Sequence, residues 1–290
     1  MPFADVNGVK IKYHIMGEGE NLVFISGWGM DHRVWMHQAS YFRDRYRVIV
    51  FDNRGVGEST DDGRRLSTYI LAKDVVGLLD YIGVDRANVV GNSLGGMIAQ
   101  ELAINFPKRV DKLILSSTTA KLTRKTRRNF IKNLKNALRN DVEILFDIAP
   151  ERPMLNRAIN HVLSMTFSRE FLERNGELIR DILKGNLSKE GYVHTLIRQA
   201  GAAIRHDTRK RLYRIKSETL ILAGENDVLI PPSEGEELAR GIEGSIYILI
   251  KSCPHSIQME KPDEFNYYLE NFLSDALESE DITNYIKPSS

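Results

Sequence analysis

The sequence is poor in cysteine, in charge of one sign and in long apolar runs, and each scarcity excludes a class of protein. A single cysteine, Cys253, among 290 residues allows no internal disulfide and no cysteine-based metal site. A net charge of +1 lacks the basic excess of nucleic-acid-binding domains. No apolar stretch reaches the length of a membrane span, and the first twenty residues lack the pattern of a signal peptide. We therefore expect a cytoplasmic protein with no nucleic-acid partner.

Short apolar segments alternate with segments of helical periodicity along most of the chain. Alternating apolar residues around Asn7 and Gly8 predict a β-hairpin near the amino terminus. Because crossover helices cover both faces of a parallel sheet, the alternation predicts an α/β fold with a mostly parallel central sheet. The predicted strands are NLVFIS, YRVIVFD, ANVVG, VDKLILSS, ETLILAGEND and SIYILI, and the predicted helices include 66–83, 93–106 and 262–273.

The alternation stops after the predicted strand at about 110–116 and resumes at the strand that begins near residue 218. Residues 120–213 between them show helical periodicity throughout, which predicts a helical insertion in one core domain. The core domain then comprises residues 1–119 and 214–290. The chain after about Leu277 is polar, and we expect it to be frayed.

The first part of the predicted insertion is strongly basic. Its basic residues, with no acidic residue among them, are Lys121, Arg124, Lys125, Arg127, Arg128, Lys132, Lys135 and Arg139. A basic amphipathic helix can bind an anionic surface or partner. The alternative is a solvated helix face beside an apolar seam made by Phe130, Leu134 and Leu138.

The stretch GNSLGG, residues 91–96, has the pattern Gly-x-Ser-x-Gly between a predicted strand and a predicted helix. In this context a serine stands on a sharp turn above the end of the sheet, where its hydroxyl can attack a substrate. A serine hydroxyl is a poor nucleophile at neutral pH unless a base takes its proton and an acid orients that base. Ser93 is therefore a candidate nucleophile that requires two further residues.

Two later loops supply candidates for the base and the acid. Asp227 follows the strand in LILAGEND, and His255 follows the next strand. Loops that follow parallel strands all lie at one edge of the sheet, so side chains distant in sequence converge there. Glu225, two residues before Asp227, is a competing candidate for the acid.

A tetrahedral intermediate also needs two backbone N–H groups that stabilise its oxyanion. One donor is expected from Leu94, which follows the nucleophile at a helix start where N–H groups are unpaired. The second is expected from Trp28 in the loop after NLVFIS. Trp28, Leu94 and Val228 lie beside these loops, and we predict that they also line the substrate pocket.

Several motifs together resemble the serine hydrolases of the α/β-hydrolase superfamily, in their esterase and lactonase branch. The matching segments are GNSLGG, FDNRGVGEST, FPKRVDKLIL, LILAGENDVLIP and PHSIQMEKPDEF, and they cover nearly the whole chain. The resemblance implies that Asp227 rather than Glu225 is the acid of a Ser93, Asp227 and His255 triad. It also implies that the helical insertion is a cap and that no metal or organic cofactor is needed.

One departure from the family pattern lies before the expected oxyanion donor. The family usually has His-Gly there, whereas this chain has Ser26 and Gly27. Enol-lactonases of the 3-oxoadipate type, which the sequence also resembles, commonly lack that histidine too. The chain lacks the loop usual in the superfamily's carbon-carbon bond hydrolases, and Ser93 disfavours the members with an aspartate nucleophile.

The resemblance implies a carboxylesterase that cleaves esters of small to medium acyl chain through an acyl-enzyme. The expected partner is a small-molecule ester or lactone, and the expected state is a monomer or homodimer. A lactonase is the nearest alternative. Two hypotheses from other functional classes remain: a slow-turnover ligand-binding or sensor protein on the same fold, and an interaction protein that docks through the basic helix.

Overall fold

The computed structural model describes residues 2–128, 151 and 153–277, and its centre is an eight-stranded sheet. The strands are β1 (Phe3–Val6), β2 (Val9–Met16), β3 (Glu20–Ile25), β4 (Tyr46–Phe51), β5 (Ala87–Asn92), β6 (Val110–Ser116), β7 (Glu218–Gly224) and β8 (Ile246–Ile250). Their order in the sheet is β1-β2-β4-β3-β5-β6-β7-β8. All pairs from β4 to β8 are parallel, and the two pairs made by β2 are antiparallel. The predicted α/β fold is confirmed.

The antiparallel edge is the predicted hairpin. β1 and β2 pair with Val6 opposite Val9, so Asn7 and Gly8 alone form the turn. Both turn residues have positive φ, 48° and 82°, which is the conformation of the two-residue turn that matches the twist of a hairpin. The hairpin thus adds an antiparallel edge to the parallel sheet.

Helices cover both faces of the parallel strands. The helices are α1 (Met36–Phe42), α2 (Thr68–Tyr81), α3 (Leu94–Asn105), α4 (Pro153–Thr166), α5 (Arg169–Leu187), α6 (Tyr192–Arg205), α7 (Pro232–Gly241), α8 (Ile257–Glu260) and α9 (Pro262–Leu273), with short 3₁₀ turns at His32–Trp35, Pro107–Arg109 and Leu212–Arg214. Along β3, Leu22 and Phe24 join the apolar cluster with α1 and α9, while Val23 and Ile25 join the cluster with α2 and α3. This period of two explains why the strands are apolar without interruption.

The strand order changes direction around β3. From β3 the chain passes to β4 on one side and then crosses to β5 on the other side, so β3 and β5 are neighbours. Ligands of open α/β sheets bind at such a switch point, beyond the carboxyl ends of the strands. The loop with Trp28 follows β3, and Ser93 follows β5. The topology therefore places both residues at this crevice.

The chain between β6 and β7 contains α4, α5 and α6, which we call the inserted helices. They have an apolar cluster of their own, made by Leu163, Phe167, Leu172, Ile179 and Leu183. The division into a core domain and a cap at residues 120 and 213 stays a prediction. Of the basic segment the structure describes 121–128, so Phe130, Lys132, Leu134, Lys135, Leu138 and Arg139 lie outside the described residues. Across the described ranges, no helix combines the length and the apolarity that crossing a membrane requires.

A buried histidine ties the end of the inserted helices to the core. His206 follows α6 and is 3% exposed. Its Nδ1 lies 3.0 Å from Thr68 Oγ1 of α2, and its Nε2 lies 3.3 Å from Gln100 Oε1 of α3. Burial lowers the pKa of His206 to about 4, although the nearby Glu101 carboxylate acts in the opposite direction. The folded protein therefore holds this histidine in its neutral form.

Acid should destabilise the fold through His206. The unfolded chain takes up a proton near the ordinary pKa of 6.5, whereas the folded chain resists protonation until about pH 4. The neutral histidine's contribution is complete above pH 6.5 and is lost as the pH falls from 6.5 to 4, which amounts to about 3 kcal/mol. We expect His206→Gln to reduce the difference in unfolding free energy between pH 7.5 and pH 4.5 by about 2 to 3 kcal/mol. Urea denaturation at both pH values measures this difference.

The exposed His194 on α6 provides the control for this experiment. His194→Gln should leave the pH dependence of the unfolding free energy as in the wild type. An unchanged pH dependence in the His206 variant would contradict the assignment.

Candidate active site

Ser93 stands on a strained turn between β5 and α3. Its φ is 56° and its ψ is −118°, a combination that non-glycine residues rarely adopt and that marks functional turns. Three hydrogen bonds hold the backbone of this residue: its N–H donates to Ser116 O at 2.9 Å, and its carbonyl accepts from Thr118 Oγ1 at 2.7 Å and from the N–H of Met97 at 3.2 Å. Ser93 is half-buried rather than buried, so its hydroxyl lies at the edge of the crevice.

The glycines around Ser93 are required by close backbone approaches. A Cβ atom on Gly95 would lie 2.1 Å from Ile25 O of β3, and one on Gly91 would lie 2.4 Å from Gly95 O. Neither position has room for a side chain. The sequence pattern thus reflects the packing of the turn, with Ser93 as its projecting residue.

Asp227 and His255 form a buried pair at the same edge of the sheet. Asp227 Oδ2 lies 2.7 Å from His255 Nδ1, and the two residues are 4% and 5% exposed. The second oxygen, Asp227 Oδ1, accepts from the N–H groups of Leu229 at 2.9 Å and Ile230 at 2.8 Å. Three hydrogen bonds therefore fix the carboxylate, and Nε2 of His255 is the ring nitrogen that remains for the nucleophile.

The competing acid Glu225 lies elsewhere. Its carboxylate is bound to Lys251 Nζ at 3.0 Å and to the N–H of Ser252 at 2.9 Å, on the exposed side of the loop. Between these two carboxylates, the structure brings Asp227 rather than Glu225 to His255. Cys253 between Ser252 and His255 is completely buried, and burial raises the pKa of its thiol to about 12.

Two backbone N–H groups near Ser93 have no hydrogen-bond partner among the described residues, those of Trp28 and Leu94. Leu94 is the first residue of α3, where N–H groups have no partner within the helix. The loop that contains Trp28 lies against the nucleophile, because a Cβ atom on Gly27 would be 3.4 Å from Ser93 Cβ. Neither N–H is engaged by a described residue, and the role of these two groups as oxyanion donors stays a prediction.

Ser26, which replaces the usual histidine, closes the loop after β3. Its hydroxyl donates to Asp31 O at 3.2 Å, and its carbonyl accepts from Asn53 Nδ2 at 3.0 Å. The residue is completely buried. Ser26 therefore stabilises the loop conformation without reaching the crevice.

The three predicted pocket residues have different surroundings. Leu94 is buried in the core cluster, and Trp28 is partly buried with its Nε1–H donated to Leu196 O at 2.8 Å. Val228 is 66% exposed. Its role as a pocket residue stays a prediction, and an exposed valine lines a pocket only where another part of the chain or a ligand covers it.

Contacts from the inserted helices to the loop after β3 were not indicated by any sequence pattern. Tyr192 Oη donates to Gly29 O at 2.6 Å, and Gln199 Oε1 accepts from the N–H of Gly29 at 3.0 Å. The sequence shows only that Tyr192, Leu196 and Gln199 lie at i, i+4 and i+7, on one face of α6. This spacing does not indicate which loop the face contacts.

A cluster with metal-ligand chemistry lies beside the same loop. Ligand atoms of Asp31, His32 and Asp52 lie within 4.8 Å of one another. Arg33 donates to both oxygens of Asp31 and Asn186 donates to Oδ2, while His32 Nδ1 lies 2.7 Å from Asp52 Oδ1. Burial acts to raise the pKa of Asp31, but the hydrogen bonds from Arg33 and Asn186 and the charge of the guanidinium together outweigh it and lower that pKa. These contacts engage the carboxylates with protein donors and join the loops after β3 and β4.

The chain is similar to known hydrolases over most of its length. A family model described as alpha/beta hydrolase fold matches residues 20–262. The chain is 28% identical over 264 residues to 3-oxoadipate enol-lactonase 2 of Acinetobacter baylyi, covering 90% of this chain and 92% of the relative. It is 29% identical over 285 residues to 2-hydroxy-6-oxo-6-phenylhexa-2,4-dienoate hydrolase of Comamonas testosteroni, covering 93% of each. The solved structure of Est816, described as an N-acyl homoserine lactone degrading enzyme, is 30% identical with a TM-score of 0.76, covering 93% of this chain and 100% of that one.

Proposed function

The chain belongs to the α/β-hydrolase family, and on that premise we propose that it is a serine hydrolase that cleaves carboxylic esters of small to medium acyl chain. The observation that carries the proposal is the pair formed by Asp227 and His255, at the sheet edge where Ser93 stands on its strained turn. A buried imidazole with one nitrogen fixed by a carboxylate is suited to take a proton at the other nitrogen.

In the first half of the proposed reaction Ser93 Oγ attacks the ester carbonyl carbon while His255 Nε2 takes its proton. The carbonyl oxygen becomes negative and accepts hydrogen bonds from the N–H groups of Trp28 and Leu94. The carbon-oxygen bond to the alcohol then breaks, and His255 returns the proton to the departing alkoxide. Asp227 keeps the proton on Nδ1 and stabilises the imidazolium that forms.

In the second half water hydrolyses the acyl-enzyme. His255 takes a proton from the water as its oxygen attacks the acyl carbon, and the same two N–H groups stabilise the second oxyanion. The bond to Ser93 Oγ breaks, and the proton on His255 goes to the serine. The carboxylic acid leaves, and the enzyme returns to its starting state.

A lactone is the second candidate substrate, and two of the three similar proteins described above favour it. One is named an enol-lactonase and the other is described as degrading N-acyl homoserine lactones. In a lactone the departing alkoxide remains attached to the acyl group, so the same residues would open the ring without releasing an alcohol in the first half. The inserted helices would then form the cap over the acyl group of an ester or over the lactone ring.

Hydrolysis of p-nitrophenyl esters from acetate to octanoate, measured beside a panel of simple lactones, tests the proposal. The proposal expects turnover of at least one ester or lactone class and a kcat/KM that depends on acyl length. Equal kcat/KM values for esters and lactones would be consistent with either substrate class. A clearly higher kcat/KM for one class would identify that class as the preferred substrate. A folded protein with no turnover of either class would favour a ligand-binding protein on this fold.

A further inference from the structure

One face of α6 is hydrogen-bonded to the loop that contains Trp28, the proposed oxyanion donor. Tyr192, Leu196 and Gln199 lie on this face at i, i+4 and i+7. Each makes a hydrogen bond to Trp28 or Gly29, at distances of 2.6, 2.8 and 3.0 Å. These bonds join residues more than 160 positions apart, so they hold the loop to the inserted helices.

Gly29 is fixed through both of its backbone polar groups. Its N–H donates to Gln199 Oε1 and its carbonyl accepts from Tyr192 Oη. Its φ is +68°, and a Cβ atom there would lie 2.5 Å from Leu196 Cδ2, so the backbone contacts α6 directly. The peptide units on both sides of Gly29 are therefore each held by one hydrogen bond to α6.

Trp28 is held on two sides as a result. Its indole N–H donates to Leu196 O, and the peptide that follows it is fixed through Gly29. The backbone N–H of Trp28, which has no partner among the described residues, belongs to the same short loop. The contacts with α6 therefore hold the loop segment to which this N–H belongs.

The two side chains that are hydrogen-bonded to Gly29 are almost completely buried, with exposures of 2% for Tyr192 and 0% for Gln199. Burial raises the pKa of the Tyr192 hydroxyl, which therefore stays protonated and able to donate. Gln199 Nε2 is buried without a partner among the described residues. An amide that leaves a donor unpaired is a poor choice for stability alone, which points to its oxygen as the group that matters.

We propose that Tyr192 and Gln199 are positioning residues for the oxyanion hole, and that the hole has its working geometry only when α6 is seated on the loop. This role rests on the proposed serine-hydrolase function. It assigns part of the catalytic geometry to the inserted helices and not to the core alone.

A neighbouring helix holds the far end of the same loop. Asn186 of α5 donates to Asp31 Oδ2 at 2.9 Å and accepts from the N–H of Gly57 at 2.7 Å. Ile182 O accepts from Arg33 Nη2 at 3.3 Å. The loop is thus bound to α5 and α6 at both ends, which restricts its movement further.

The test compares Gln199→Met and Tyr192→Phe with Thr195→Val. Gln199→Met and Tyr192→Phe each remove one hydrogen bond to Gly29 and keep most of the side-chain volume. Thr195 is a buried residue of α6 whose hydroxyl donates to Asp61 Oδ2 at 2.6 Å and accepts from Arg198 Nη2 at 3.1 Å, away from the loop, so its variant controls for the loss of buried hydrogen bonds in α6. Losing an oxyanion donor costs about 100-fold or more in kcat, so its displacement by Gln199→Met should cost about 10- to 100-fold. KM should change by less than about twofold, because the bond acts mainly in the transition state.

Hydrogen exchange at the Gly29 amide gives a readout that does not depend on turnover. We expect this amide to be protected in the wild type and in Thr195→Val, and to exchange at least about tenfold faster in Gln199→Met. Active wild type with a kcat loss no larger in Gln199→Met than in Thr195→Val would overturn the positioning role alone. Wild type that neither hydrolyses the ester panel nor reacts with a fluorophosphonate would overturn the proposed function and this role together.

Discussion

Ser93→Ala is expected to lower kcat/KM for the preferred ester by about 10⁴-fold or more, leaving only the residual rate that substrate binding and the oxyanion donors supply. The substitution removes the oxygen that forms the acyl-enzyme and keeps the backbone turn, since alanine also has a Cβ atom. Steady-state hydrolysis by purified wild type and variant measures the loss. Binding of the substrate should persist, because the pocket and the two oxyanion donors remain.

Ser116→Ala is the matched control for this substitution. Ser116 is a completely buried serine beside the turn, and its hydroxyl has no partner among the described residues. Only its backbone carbonyl contacts Ser93, so the variant should keep kcat/KM within about twofold. A loss of less than about tenfold in Ser93→Ala would mean that another group performs the attack.

Asp227→Asn is expected to lower kcat by about 10⁴-fold through the tautomer of His255. In the wild type one carboxylate oxygen accepts from the N–H groups of Leu229 and Ile230, while the other accepts from His255 Nδ1. The asparagine oxygen should keep the two backbone bonds, which turns its NH₂ group toward Nδ1. That nitrogen must then accept, so the ring proton moves to Nε2, and Nε2 can no longer take the proton of Ser93.

Glu225→Gln controls for the loss of a negative charge in the same loop. Glu225 is bound to Lys251 and Ser252 on the exposed side of the loop, so kcat should stay within about twofold of the wild type. If the Glu225 variant lost activity and the Asp227 variant did not, the acid would be the competing residue that the sequence also offers. Equal and small losses in both variants would contradict a triad mechanism.

Much of the fold follows from local patterns in the sequence. Strands of unbroken apolar residues, such as VIVF in β4, need both faces buried, and the structure buries both. Ser67 caps α2 by accepting from the N–H of Ile70 at 3.1 Å, which agrees with its position before the periodic segment. The short α7 has no counterpart among the predicted elements, because it begins at a pair of prolines, Pro231 before it and Pro232 as its first residue, and few of its residues are apolar.

The candidate site divides in the same way between local and distant determinants. Ser93, Asp227 and His255 could be named from the sequence because each follows a recognisable strand, and topology brings strand ends together. The choice between Asp227 and Glu225 depends on side-chain direction within one loop, which spacing does not determine. The hydrogen bonds between Gly29 and the side chains of Tyr192 and Gln199 depend on how the inserted helices pack on the core, and no local pattern encodes that packing.

The most direct test of the central claim is peptide mapping after reaction with a fluorophosphonate. This reagent mimics an ester and leaves a stable adduct on an activated serine. We expect one adduct per chain, on the peptide that contains Ser93, and much slower labelling of Asp227→Asn. An adduct on a different residue, or no adduct on folded wild-type protein, would contradict the claim that Ser93 is an activated nucleophile.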